Sequence, residues 1–437
     1  MPPPRNSGST GQFLPLRGVK VLSFELAYSL PAGTRTLAEL GAEVVRVGGP
    51  SRDNAYVGVV DGVYLSKTCV GIDLKHHDGL AVAKHLVTNA DVVCSNFVPG
   101  VMERLGLGSE EIARLNPPAI ILQLSGYGSP GPWSGYPAFG PSTEAAGGMN
   151  QLMGRDPDPP VRVGSGVFSD QLAGRFAALS LLAALERRKR TGEGCYIDLS
   201  MAEAISTVIG HTVLAAALGE SEQRLGNRDR DFAPQGVYRA AGEDEWVAIT
   251  VKDDKQWEAL VELVGDPGLT GPDLTTVGGR QLKHDTIDAA IEAWTVRFDR
   301  HWLAQRLQES GIAAAPVQTS RDPLFDSHLA QRGAFRSVGH ERPLLGYAAH
   351  PHLATPWGVD GYKRSGLADL RRLGADNVLV LGQWLGMSPD EVHALEATGA
   401  LIAPAEVPVD DRRSNFRDPD FGTQLGLPTE GGANEGA

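Results

Sequence analysis

Hydrophobic positions over the first two hundred residues fall into two alternating patterns. Short β-rich apolar runs at 19–24 (VKVLSF), 43–47 (EVVRV), 91–94 (DVVC) and 119–124 (AIILQL) predict strands. Between them, 34–40 and 78–89 carry apolar residues at helical spacing, the latter through Leu80, Val82, Ala83, Leu86 and Val87. Ser109 followed by Glu110 and Glu111 marks another helix start, because acids suit a first turn. The unbroken run at 119–124 is the kind buried on both faces of a parallel sheet. Strand–helix alternation of this sort implies right-handed βαβ units and an open, doubly wound α/β sheet.

From 127 to 160 the pattern dissolves into Gly, Pro and Ser. A long apolar helix is then predicted over 171–188, a tight TGEG turn at 191–194 and a strand over 195–199. Ser200-Met-Ala-Glu203 reads as a capping box opening a helix that runs to about Leu218. The polar stretch 221–231 (SEQRLGNRDRD) predicts a linker. Beyond it, a hairpin over 236–251 and helices near 256–264 and 285–294 predict a smaller α+β domain. After Pro316 the pattern is irregular until a last helix at 388–397. The expected organisation is a large α/β domain over 14–220 followed by a small α+β domain over 221–330. Residues 1–13 and 404–437 read as flexible tails.

The chain has 437 residues, 42% of them hydrophobic and 21% charged. That make-up fits a globular protein and excludes a disordered, collagenous or coiled-coil one. A net charge of −13 argues against a nucleic-acid binder, which needs a basic face, but leaves room for a small anion in a local cationic pocket. Cys69, Cys94 and Cys195 lie far apart with no CxxC or Cys/His pairing, so neither a disulfide framework nor a structural zinc is expected. A reducing cytoplasm is the expected location. No apolar run approaches the ~20 residues of a membrane span, and MPPPRNSGSTGQF lacks the apolar core of a signal peptide.

Gly126-Tyr-Gly-Ser-Pro-Gly131 satisfies GxGxxG after a strand. A dinucleotide site also needs a helix immediately afterwards, and PWSGYPAFGP cannot supply one. A glycine-rich loop lining a pocket is the better reading. Asp170 precedes the predicted 171–188 helix, where it is either an N-cap or a carboxylate nucleophile kept ionised by the helix terminus. Helix physics does not separate the two. His76-His77 reads as a solvated turn, and neither a GxSxG elbow nor a Walker A loop is present, so any acyl activation proceeds without ATP through such a loop.

Ordered segments then carry a resemblance. They are LPLRGVKVLSFELAYSLPAG, IDLKHHDGLAVAKHLVTNADVVCSNFVPGVMERLGLG, LNPPAIILQLSGYGSPGPW, PPVRVGSGVFSDQLAG, LLAALERRKRTGEGCYIDLSMAEA, RLGNRDRDFAPQGVYRA and GIAAAPVQTSRDPLFDSHLAQRGAF. From Leu14 to Leu401 the chain resembles the family III CoA-transferases, a superfamily that includes the α-methylacyl-CoA racemases. The resemblance implies a Rossmann-like large domain built from both chain ends, with a return segment at 331–403 completing 14–220, the small domain at 221–330 inserted between, and a homodimer of two interlocked chains. It implies that Asp170, in S-D-Q-L-A-G, is the acyl-accepting nucleophile. Coenzyme A, a substrate and not a tightly bound cofactor, is expected at Ile72 and Lys75, at Asn96 and Phe97, and at Arg104 for phosphate.

The chain also departs from the family. Ser29-Leu30-Pro31 replaces A-G-P, and Gly48-Gly49 replaces an acidic residue and an arginine, which Arg46 or Arg52 could supply instead. The glycine loop of oxalate-specific members is replaced by 227–236. Racemases carry a His-Asp pair where this chain has Phe139 and Gly140, neither of which moves a proton. Phe139 and Gly140 are therefore expected in the substrate pocket. With Trp133 and Tyr136 they suggest apolar walls for a branched, aromatic or steroid-like acid. The resemblance implies a CoA-transferase acting on an acyl-CoA and a free carboxylic acid; a 2-methylacyl-CoA racemase and a non-catalytic CoA-binding protein are the alternatives.

Overall fold

A computed structural model of the chain describes residues 11–50, 61–164, 167–220, 223–344, 347–362 and 366–404. Arg52, Ser165, Gly166 and nearly all of the two expected tails lie outside them. Six strands form one parallel sheet: β1 (Lys20–Phe24), β2 (Glu43–Gly48), β3 (Thr68–Gly71), β4 (Val92–Ser95), β5 (Ile120–Ser125) and β6 (Cys195–Ser200). Their order is β3-β2-β1-β4-β5-β6, with Leu22 beside Val45 on one flank and Val93 on the other.

Alternation along each strand sends apolar side chains to both faces, as a doubly covered parallel sheet requires. Leu22, Phe24, Val45, Val70, Val93 and Ile121 pack one core with helix α3 (His77–Thr88). Val21, Val44, Val92, Leu122 and Leu124 pack the other, under α1 (Ser29–Glu39) and the long α8 (Phe168–Thr191). Helix α2 (Asp61–Tyr64) lies between β2 and β3. Helices α4 (Val101–Arg104) and α5 (Ser109–Leu115) link β4 to β5; α6 (Gly140–Ala146) and α7 (Met149–Leu152) follow β5. The capping-box helix is two helices, α9 (Met201–Val208) and α10 (Gly210–Ala217). The β-branched run Thr207-Val208-Ile209 followed by Gly210 explains the break.

The described residues divide into two compact units, one holding those up to 150, within 162–220 and from 327 on, the other those within 151–161 and 223–326. In the second unit β7 (Gln235–Arg239), β8 (Trp246–Thr250) and β9 (Ala313–Pro316) make an antiparallel sheet in the order β7-β8-β9. Helices α11 (Asp254–Val264), α12 (Val277–Leu282), α13 (His284–Thr295) and α14 (Arg300–Glu309) accompany it, burying Trp257, Ile287, Ile291 and Leu303. Arg280, fully buried, donates to Ala233 O, Leu274 O and Asp254 Oδ1.

The segment after Pro316 is more regular than its sequence pattern predicts. It holds α15 (Asp322–Phe325), α16 (Ser327–Gln331), an antiparallel hairpin of β10 (Phe335–Leu344) and β11 (Tyr347–Leu353), α17 (Asn377–Leu385) and α18 (Pro389–Ala397). This return segment seals the open edge of β3. Asp376 accepts from Cys69 N at 2.8 Å, Asn377 Oδ1 from Gly71 N at 3.0 Å, and Ile402 N donates to Gly71 O. An edge strand left uncovered would invite pairing with another chain.

Helices α1 and α8 cross at two glycines. A Cβ at Gly33 would lie 2.6 Å from Gly174 O, and one at Gly174 would lie 2.6 Å from Ser29 O. Alanine in an exposed helix gains up to ~1 kcal/mol over glycine, but forcing a methyl between two backbones costs ~1–3 kcal/mol. Gly174→Ala should therefore lower the urea midpoint despite its better helix propensity, with a net loss of ~1–2 kcal/mol. A midpoint that rises would show that the crossing has slack.

Candidate active site

Strand order reverses direction of travel between β1 and β4, so the crevice outside their carboxyl ends is where a doubly wound sheet binds ligands. Asn96, just past β4, pins the turn leaving β1: Leu26 N donates to its Oδ1 and its Nδ2 donates to Leu26 O, both at 2.8 Å. The same Nδ2 reaches Ser29 Oγ at 3.3 Å, at the start of α1. Ser29 O in turn abuts Gly174 on α8, one turn beyond Asp170. The two strand ends, the start of α1 and the start of α8 are thus joined by successive contacts.

Beneath this corner lies a buried, fully paired cluster. Lys67 Nζ meets Glu25 Oε1 at 2.6 Å and donates to Thr34 Oγ1 and Pro31 O, while Ser23 and Thr34 donate to Glu25 Oε2. Burial pushes the Lys67 ammonium down to about 8, with the Glu25 carboxylate opposing that shift. The cluster ties β1, α1 and the entry to β3 together.

Asp170 is not an N-cap. Helix α8 begins at Phe168, and Val167 occupies the cap position without a side-chain hydrogen bond, leaving Asp170 third in the first turn. Another helix supplies the cap. Glu144 of α6, fully buried, accepts from Ser169 N through Oε1 at 3.4 Å, and Ser169 Oγ donates to Gly140 O at 3.0 Å. With its first turn satisfied from outside, α8 starts three residues earlier than its own sequence predicts.

Asp170 is more basic than an ordinary aspartate. Burial, followed by repulsion from Glu144, raises its carboxyl to about 6, although its own backbone N–H pulls the other way. The helix terminus favours the anion, yet desolvation and a second carboxylate outweigh it. Glu144 Oε2 is buried with no hydrogen-bond partner. Neither acid forms an ion pair among the described residues. Sequence reasoning missed Glu144; its signal was a single acid inside the otherwise uncharged, small-residue stretch 140–148.

The remaining expected residues are placed as follows. Gly140 is buried beside Ser169, its carbonyl occupied by the Ser169 hydroxyl, and Phe139 is 68% exposed at the head of α6. Asp170, Gly140 and Phe139 therefore come together. Ile72 is a fully buried core side chain whose backbone donates to Gly48 O and bridges to Leu401. Asn96 spends its carboxamide on Leu26 and Ser29. Phe97 is half-buried, with its carbonyl accepting from Gln123 Nε2 at 2.6 Å. Lys75 and Arg104 are exposed and form no ion pair among the described residues. They sit on the same side of the sheet, since Leu80 of α3 lies 3.5 Å from a Cβ placed at Gly106, next to α4. A small crevice between β4, β5, β6 and α4 is lined by Ser95, Met102, Glu103, Gln123 and Tyr196. It opens on the sheet face opposite α8. Arg46 is buried under the Tyr64 ring.

Fold and site together define an α/β enzyme of the doubly wound class, with buried Glu144 beside half-buried Asp170 at the start of α8 and two exposed cations on the other face of the sheet. Residues 16–370 match the model of CoA-transferase family III, and the chain belongs to that family. It is a CoA-transferase, with CoA thioesters as substrates. It is 32% identical to a succinyl-CoA–D-citramalate CoA-transferase of Chloroflexus aurantiacus, over 88% of this chain and 97% of that one. It is also 32% identical to an acetyl-CoA:oxalate CoA-transferase of Acetobacter aceti, over 69% and 80%. A CAIB/BAIF family protein from Brucella suis shares the fold, with a TM-score of 0.75 at 24% identity over 85% of this chain and all of that one. Among the described residues no helix is long and apolar enough to cross a membrane.

A carboxyl near 6 is protonated, and no longer a nucleophile, below that pH. Single-turnover transfer should fall as pH drops through about 6. Glu144→Gln removes the repelling charge and should move that midpoint to lower pH. A midpoint unmoved by the substitution would contradict the coupling.

Proposed function

We propose that the enzyme moves CoA from an acyl-CoA donor to a free carboxylic acid by a ping-pong route through Asp170. The Asp170 carboxylate attacks the thioester carbonyl; the C–S bond breaks, leaving an aspartyl–acyl anhydride and CoA thiolate. The thiolate attacks the aspartyl carbonyl, releasing the donor acid and leaving an aspartyl–CoA thioester. The acceptor carboxylate attacks that thioester to give a second anhydride. Thiolate attack on its acceptor carbonyl yields the new acyl-CoA and restores Asp170. Every step exchanges one anion for another, so no general base is needed and the thioester energy is kept.

The observation that carries this reading is the half-buried Asp170 carboxyl, raised to about 6, at the N-terminal turn of α8 beside the switch-point crevice. At neutral pH most of it is ionised, yet it is more basic than an ordinary aspartate and so a better nucleophile. Backbone N–H groups at the start of α8 are suited to the oxyanion. Lys75 and Arg104 would hold CoA phosphates, with the backbones at Ile72, Asn96 and Phe97 along the nucleotide.

Trapping with hydroxylamine or borohydride in the presence of acyl-CoA should label the peptide containing Asp170, and Asp170→Ala should lose on the order of 10³-fold in turnover or more. Label elsewhere, or undiminished turnover, refutes the role.

A homodimer of interlocked chains is part of the proposal. Exposed Leu179, Val213, Leu214 and Leu218 on α8 and α10 are the kind of apolar surface that a partner covers. Light scattering should give a mass near twice 46.4 kDa; a stable monomer contradicts the arrangement.

A further inference from the structure

The loop from β5 to α6 carries a group of aromatic rings that the transfer chemistry does not use. Tyr127 is half-buried and stands edge-on to Trp133, with centroids 5.7 Å apart, and to Tyr136 at 6.5 Å. Trp133 and Tyr136 are 50% and 56% exposed, and Phe139 still more so. Proteins rarely leave several large rings in water side by side unless something covers them.

The loop is held in place next to the candidate nucleophile. A Cβ at Gly126 would fall 2.2 Å from Ala138 Cβ, so the two ends of the loop touch. Ser129 N donates to Asp198 Oδ2 at 2.8 Å, fixing the near arm to β6. Phe139 N donates to Ser142 Oγ at 3.0 Å, and the next residue, Gly140, accepts from Ser169 Oγ, adjacent to Asp170. Loop residues 126–139 (GYGSPGPWSGYPAF) contain no Lys, Arg or His. An acid with a second carboxylate would find no counter-charge there, whereas a flat apolar body would find ring edges and faces.

We infer that the acceptor is a monocarboxylic acid bearing an aryl group, with its ring against Trp133, Tyr136 and Phe139 and its carboxylate toward Asp170. This rests on the transfer route proposed above and adds the class of acid. The two transferases named above carry D-citramalate and oxalate in their names, both short polar acids, so the inference separates this chain from them.

The test uses the full-length enzyme with succinyl-CoA and acetyl-CoA as donors, and 3-phenylpropanoate, isobutyrate and succinate as competing acceptors, read by mass. Expected is a kcat/KM at least ~10-fold higher for 3-phenylpropanoate than for either other acid. Trp133→Ala and Phe139→Ala should each lose up to ~10-fold for the aryl acid alone, and Trp133→Phe should retain most of it. Preference for succinate or isobutyrate, or equal losses for all three acids, overturns the inference. Hydroxylamine trapping from the same donors separates the two layers. Asp170 labelling without aryl transfer sinks only the acceptor class, while no acyl-enzyme at Asp170 sinks the transfer route and the inference with it.

Discussion

The crossing of α1 on α8 at Gly33 and Gly174 is the constraint on which the site depends. With Cβ positions that would lie 2.6 Å from facing carbonyls, the two backbones are closer than helices can come without glycine on both sides. That contact carries the geometry of the sheet's switch point to the first turn of α8. Asn96 fixes the turn after β1 and reaches Ser29, Ser29 abuts Gly174, and Asp170 stands one turn away. The Asp170 carboxyl is thereby set on a rigid element instead of a loop, as the proposed attack on a thioester carbonyl would require, since small misplacements cost rate.

Two buried polar groupings near this corner behave in opposite ways. Glu25, Lys67, Thr34 and Ser23 satisfy one another, so the charges there are neutralised and serve to hold β1, α1 and β3 together. Glu144 and Asp170 face each other without a cation, and one Glu144 oxygen has no hydrogen bond. An unpaired buried acid is costly, and one that raises the carboxyl beside it is the pattern of a site that tunes a carboxyl's basicity. The acids stand at the start of α8, while the exposed cations Lys75 and Arg104 stand on the other side of the sheet. The separation suits a ligand with anionic phosphates at one end and a reactive thioester at the other.

Chain ends matter as much as the central motifs. The segment from 371 to 402 closes the β3 edge through side-chain carboxyl and amide groups instead of another strand. Asp376 and Asn377 accept the N–H groups that β3 would otherwise show to water, and α17 and α18 cover the core beside it.

The sequence by itself determined the parallel α/β sheet, because continuous apolar runs such as AIILQL and the 3.6-residue stripe of α3 are local patterns that burial on both faces demands. It also determined the β7–β8 hairpin, and the family through its ordered segments. Tertiary structure decided where α8 begins, since its cap is Glu144, a residue 26 positions before Asp170 that no local rule connects to it. It decided the basicity of Asp170, because desolvation and a neighbour's charge depend on distance in space and not in sequence. It turned Ile72 inward and committed the Asn96 carboxamide to Leu26, and it gave regular structure to the return segment, whose weak periodicity is compensated by the sheet edge it covers. Local pattern reaches as far as one helix or strand; a site assembled from four of them is fixed only when they pack.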